Sequence, residues 1–164
     1  MSTAPGNMKE AVVAASLPAH ATVIGFDFGE RRIGVATGNT TIGVATPLTT
    51  IHASSNADRL KAVGELVAEW QPHVFVVGQP AHADGRPHEV AHLAKRFGNR
   101  LTEQFKRPVA YVDETLSSSE ASAQLAERGV VGRAQKPHLD AEAAAIILQS
   151  WLDSIRQQGA VHAA

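Results

Sequence analysis

No cysteine occurs among the 164 residues. That excludes disulfides, thiolate zinc sites and a cysteine nucleophile, and it suits a reducing, cytoplasmic setting. No apolar run approaches the ~20 residues that a membrane helix needs, so nothing reads as a membrane span. Neither an internal repeat nor a dividing linker is present, and a chain of this length suits one domain with a sizeable core. Also missing is the basic excess usual in proteins that grip phosphate backbones: the formal net charge is −1. Any basic surface must therefore be local. The stretch from Arg86 to Arg107 offers one, with Arg86, Lys95, Arg96, Arg100, Lys106 and Arg107 against only Glu89 and Glu103. Taken alone, such a run is an ordinary solvated helix face.

Residues 1–21 are alanine-rich and weakly patterned. Lys9 and the Ala11–Leu17 run imitate a signal peptide poorly, because Glu10 follows the lysine at once. A disordered extension is expected there, a single domain over 22–156, and a disordered tail over 157–164. Thr22 to Phe28 (TVIGFDF) is β-branched and aromatic and reads as a buried strand. Arg32 to Thr37 reads as a second strand, and Ile42 to Leu48 as a third, returning after the turn residues Gly38 to Thr41. Short links suggest an antiparallel meander.

The rhythm then changes. Asn56 to Trp70 carries Leu60, Val63, Leu66 and Val67 at helical spacing, and Pro72 closes it. Val74 to Val77 is a short buried strand. Pro87 starts a helix with the stripe Val90, Leu93, Phe97, Leu101 and Phe105. Pro108 to Val112 is another strand, followed by a helix from about Ser117, a loop over Gly129 to Pro137, and a last helix from about Leu139 to Arg156. Strands mixed with helices predict an α/β fold with a mixed sheet.

Three sets of acids stand out. Asp27 interrupts an apolar strand, where a carboxylate is costly unless something pairs with it. By alternation it shares a face with Val23 and Gly25, while Phe26 and Phe28 point the other way. It serves equally well as a turn cap or a partner for Arg31 or Arg32. Asp113 and Glu114 follow a second strand, and Ser117 with Glu120 already fits a capping box for the next helix. The adjacent acids are better explained as ligands. Asp140 opens the last helix at the head of the stripe Ala144, Ile147 and Trp151, where an N-cap is the plain alternative. Two carboxylates about 4 Å apart repel by ~4 kcal/mol at an effective dielectric of 20, so a close cluster of such acids needs a cation. Oxygen ligands suit Mg²⁺ or Mn²⁺, which can activate a water against a phosphodiester. Spacing alone does not show that the acids meet.

The runs GFDFGERRIGVA (Gly25 to Ala36), VVGQPAHADG (Val76 to Gly85), VDETLSSSEA (Val112 to Ala121) and KPHLDAEAAAIILQSWLD (Lys136 to Asp153) together resemble the YqgF family. Its members are Holliday-junction-resolvase-like proteins, also described as candidate pre-16S rRNA nucleases. The resemblance spans Val23 to Asp153 and departs from the family's usual GLPL run at Gln79 and Ala81. It implies an RNase H-like fold, a mixed five-stranded sheet with helices on both faces. It implies a metal-dependent nuclease in which Asp27, Glu114 and Asp140 are catalytic and, with Asp113, hold Mg²⁺ or Mn²⁺. Arg31 and Arg32 beside Asp27, and Lys136 and His138 on the loop before Asp140, are candidate phosphate contacts. The implied partner is nucleic acid, structured RNA in ribosomal precursor particles or branched DNA, bound by a monomer or homodimer.

Other readings compete. His88-Glu89-Val90-Ala91-His92 is a literal H-E-x-x-H, the zinc-peptidase pattern. The helical stripe puts His88 and His92 on the polar side with Lys95, Arg96 and Asn99, away from any sheltered cleft. GFDFGERRIGVA also resembles the first phosphate loop of actin-like ATPases, but the chain has no second copy. A non-catalytic nucleic-acid-binding assembly factor is the rival from a different class.

Overall fold

The computed structural model describes residues 20–80, 89–114 and 135–163, with backbone alone at 80, 89–90, 113–114, 135–138 and 156–163. Its elements are β1 (Thr22–Asp27), β2 (Arg32–Asn39), β3 (Thr46–His52), α1 (Asn56–Trp70), β4 (Val74–Pro80), α2 (Glu89–Phe105), β5 (Val109–Glu114) and α3 (Gln135–Ala163). The expected helix near Ser117, the extension over 1–19 and most of the loop over 129–137 lie outside the described residues.

The strands form one sheet in the order β3-β2-β1-β4-β5. β1, β2 and β3 make the antiparallel meander, while β4 and β5 run parallel to β1 and need helical crossovers. Strand alternation then divides the core. Ile24, Phe26, Ile33, Val35, Phe75 and Val77 face α1 and α2, where they meet Val63, Phe97 and Leu101. Val23, Ala36, Val74, Val76 and Ala110 face α3, meeting Ala144, Ile147, Leu148, Trp151 and Leu152. Helices thus cover both faces of a mixed five-stranded sheet, as the pattern and the resemblance together implied. Among the described residues, no helix is long and apolar enough to cross a membrane.

Several expected boundaries move, each for a local reason. The third strand is Thr46–His52, not Ile42 to Leu48. Asn39 turns the chain instead: its side-chain oxygen accepts from the Thr41 N–H (2.7 Å) and the Ile42 N–H (3.2 Å). Its carbonyl accepts from Gly43, whose φ of 74° favours glycine. Gln149 on α3 clamps the same loop, donating to the Gly43 carbonyl (2.8 Å) and accepting from Ala45 (2.9 Å). The apolar Ile42 and Val44 are consequently 69% and 55% exposed. The β4–β5 ladder also runs on through Gln79↔Asp113 and Pro80↔Glu114, so the paired acids belong to β5 and do not follow it.

The last helix begins at Gln135, not Leu139, so Lys136 and His138 are helical and not on a preceding loop. Pro137 is tolerated because the first turn of a helix has N–H groups without intrahelical partners. Backbone helix also continues to Ala163, past the expected end at Arg156 and through the tail.

Candidate active site

The site is built at the end of β1. Asp27 there pairs in register with Gly34 on β2 and Gly78 on β4, and Gly78 in turn with Val112 on β5. Gly34 is the decisive neighbour. A Cβ at that position would lie 1.7 Å from the Asp140 carbonyl oxygen, so only glycine lets the start of α3 rest on this part of the sheet. Gly25 repeats the contact further along, where a Cβ would lie 2.8 Å from Leu148 Cβ. Two glycines on the α3-facing side of β1 and β2 therefore let the helix carry Asp140 over the strand that ends in Asp27.

The two carboxylates line one open cleft of about 530 Å³ with Phe28, Gly29, Glu30, Arg31 and Arg32. Asp140 is in the second turn of α3, so the capping role open to it from sequence does not apply. Arg32 Nε stands 3.3 Å from Asp140 Oδ2, with the two side chains 40% and 20% exposed. Solvent screening at that exposure keeps such a pair to about 1 kcal/mol or less. Its use is to place a guanidinium beside the acids. Arg31 is exposed on the cleft rim, and its carbonyl accepts from the Ala53 N–H at 3.1 Å.

A residue that the sequence reading passed over holds this loop. Arg59 on α1 donates from Nη2 to the Glu30 carbonyl and from Nη1 to Asn56 Oδ1 (3.0 Å). Its guanidinium lies 5.3 Å from the centroid of the Phe28 ring, whose other neighbour is Phe97 at 5.2 Å. The available signal was its helical alignment, four residues before the buried Val63. Arg59→Met keeps the stem and removes the fork. We expect a loss of about 1 kcal/mol, the scale of one hydrogen bond with a cation–π contact. Faster hydrogen exchange at the Ala53 amide, with the β1 amides unchanged, would show that the loss is local to the loop.

Of the residues singled out from sequence, the structure brings Asp27, Arg31, Arg32 and Asp140 together in the cleft. Asp113 and Glu114 end β5 at the same end of the sheet, one and two strand positions beyond Val112. Glu114 has the parity of Val112, which packs on the α3 side with Asp27's row, and Asp113 has the opposite parity. Lys136 and His138 stand four and two residues before Asp140 in the same helix. Among the described residues, no group of three potential metal-ligating side chains is assembled. The acids among the described lining residues are Asp27 and Asp140, with Glu30 exposed on the rim, and carboxylate oxygens fit a hard divalent cation. His92 is exposed on α2, His88 lies outside the described residues, and no histidine is among the described residues that line the cleft.

This strand order, with acids at the end of the central strand and on the helix packed across it, is the RNase H-like class of fold. Solved structures agree: Thermus thermophilus RuvC in complex with a Holliday junction substrate matches with a TM-score of 0.57 at 17% identity, over 84% of this chain and 97% of that one. The yeast mitochondrial Holliday junction resolvase Ydc2 matches with 0.53 at 12% identity, over 95% and 88%. At those identities the likeness is one of fold. Sequence goes further. The model of the RuvX family, described as "Holliday junction resolvase", matches residues 21–154. A protein of Dechloromonas aromatica named "Putative pre-16S rRNA nuclease" is 58% identical over 133 residues, 81% of this chain and 91% of its own length. One of the same name from Burkholderia ambifaria is 54% identical over 135 residues, 82% and 91%. The chain belongs to the RuvX family, the one that the YqgF resemblance indicated.

Proposed function

We propose that this chain is a divalent-metal-dependent nuclease that hydrolyses phosphodiester bonds in structured RNA, acting in the cytoplasm on the 5′ end of pre-16S ribosomal RNA. One observation carries the chemistry: Asp27 and Asp140, distant in sequence, line a single cleft with Arg31 and Arg32. Acids beside guanidinium groups suit a reaction in which a cation and a phosphate must be held together. The choice of RNA is supported by the relatives' names and by their identity over nine-tenths of their length.

Asp27, Asp140 and Glu114 would hold the cation, with Asp113 next to them. The chemistry supplied by a bound Mg²⁺ or Mn²⁺ is activation of a water and stabilisation of the leaving oxygen. The chain's own groups do the rest. Arg31 and Arg32 bind the non-bridging oxygens of the scissile phosphate, and a guanidinium suits that task through its planar fork of donors. Arg32 moves between Asp140 and phosphate with little cost, because the pair is partly solvated. Lys136 and His138, on the turn before Asp140, contact the neighbouring phosphates.

The test is cleavage of end-labelled structured RNA and of a four-way DNA junction by the full chain, with Mn²⁺, Mg²⁺ or EDTA. Faster metal-dependent cutting of RNA is the expected result. Preference for the junction would move the substrate to branched DNA, in line with the family's description. A folded chain that binds RNA and cuts neither substrate would leave a binding role in ribosome assembly.

A further inference from the structure

The outward face of α2 carries charge that the cleft does not use. Ala94, Phe97 and Leu101 are buried. His92, Lys95, Arg96 and Asn99 are exposed, with Arg100 half-buried beside them. No acid interrupts the run from His92 to Thr102. An ordinary solvated helix mixes its signs, because opposite charges at i,i+4 stabilise it and like charges destabilise it. α1, on the same face of the sheet, shows that mixture with Asp58, Lys61, Glu65 and Glu69. On α2, by contrast, Arg96 and Arg100 stand one turn apart with the same sign, and neither enters an ion pair among the described residues. Three lysines and arginines within 92–100 leave twelve to face sixteen acids elsewhere in the chain. The run is a local excess of positive charge in a chain of net negative charge.

The helix that carries this face packs behind the cleft wall. Phe97, directly behind it, packs on Phe28 of the cleft wall. β4 runs parallel to β1, so α2 sets out from the end of the sheet at which Asp27 lies. Lys95 is held against β5. Its Nζ is 4.5 Å from the centroid of the Tyr111 ring, and the Tyr111 hydroxyl donates to the Lys95 carbonyl at 3.3 Å. Burial pushes that hydroxyl above its ordinary pKa, which keeps it a neutral donor. Two and three residues further on, the same strand reaches Asp113 and Glu114.

We propose that Lys95, Arg96 and Arg100 form a docking surface for the phosphate backbone of a nucleic-acid strand outside the cleft. Lys95 to Arg100 rises about 7.5 Å along the helix, so the two ends of the patch can reach separate phosphates of one strand. The surface is sequence-independent and holds the flanking strand while the cleft holds the scissile bond. The substrate class rests on the nuclease reading above, but the test does not use cleavage.

Binding of a fluorescein-labelled RNA hairpin to the full chain is followed by anisotropy in EDTA over a series of KCl concentrations. Arg96→Gln/Arg100→Gln is expected to weaken binding about tenfold at low salt. The slope of log K against log[KCl] should flatten by roughly 1.4–1.8, the yield of two lost phosphate contacts. Lys95→Gln, a milder change, should flatten it by about 0.7–0.9. Lys61→Gln on α1 matches the net-charge change of Lys95→Gln and should change neither quantity. Unchanged affinity and slope in the double variant would overturn the proposal, as would an equal loss in Lys61→Gln or no binding of the hairpin by the wild-type chain. Should wild-type protein bind in this salt-dependent way yet fail to cut RNA with metal, the nuclease reading fails and the docking surface stands.

Discussion

Asp27→Asn is expected to abolish metal-dependent cleavage, by on the order of 10³-fold or more, as for the loss of one member of a catalytic unit. The substitution preserves volume and shape, replaces one acceptor oxygen by an NH2 donor and removes the charge at the end of β1. A half-buried residue at a strand end tolerates such an isostere, so the fold should persist. Cleavage is one readout, and the cation itself supplies another. A ligand that binds only the folded state at 100 times its Kd stabilises by about 2.7 kcal/mol. Mn²⁺ should therefore raise the melting temperature of the wild-type chain and have far less effect on Asp27→Asn. A variant that cuts normally, or that is stabilised by Mn²⁺ as fully as wild type, would remove Asp27 from the site.

The second large effect comes from a residue with no side chain. Gly34→Ala sets a Cβ 1.7 Å from the Asp140 carbonyl oxygen, and both atoms belong to backbones that cannot rotate aside. The first turns of α3 must lift away from β2. Overpacking of this kind costs about 1–3 kcal/mol, sometimes more, and the melting temperature should fall by roughly 3–10 °C. The catalytic penalty should be larger than the stability loss suggests, because Asp140 moves with the helix. A displacement near 1 Å can cost about 10²-fold in rate. Gly64→Ala on α1 is the matched control: its Cβ would make only ordinary contact, 3.7 Å from the Phe105 ring. Replacing a glycine inside a helix there should stabilise by about 0.5–1 kcal/mol and leave cleavage alone. Equal behaviour of the two variants would separate Gly34 from the placement of Asp140.

Much of this arrangement was visible in the linear pattern. Alternation in Thr22 to Phe28 put Asp27 on the side of Val23 and Gly25, and that is the side covered by α3. The helical stripe of Ala144, Ile147 and Trp151 packs on the sheet as its spacing required, with Asp140 at its head. Local chemistry misled where a turn outcompeted propensity. Ile42 and Val44 look like strand residues, but the Asn39 turn and the Gln149 clamp hold them in a loop. The glycine and basic residues before Asp140 suggested a loop at Lys136 to His138, yet Pro137 is harmless in a first helical turn.

What the sequence by itself determined is which residues belong to which face, since a period of two or of 3.6 is a local property of the backbone. It also named the acids, because a carboxylate amid apolar neighbours needs a reason to be there. What only the tertiary structure decided is that Asp27 and Asp140 line one cleft, that Glu114 rather than Asp113 shares the strand parity of Asp27, and that Arg59 braces the loop between Phe28 and Arg31. Each of these depends on the distance between segments far apart along the chain. That distance is set by register and by whether two backbones can touch, and at Gly34 the absence of one carbon allows it.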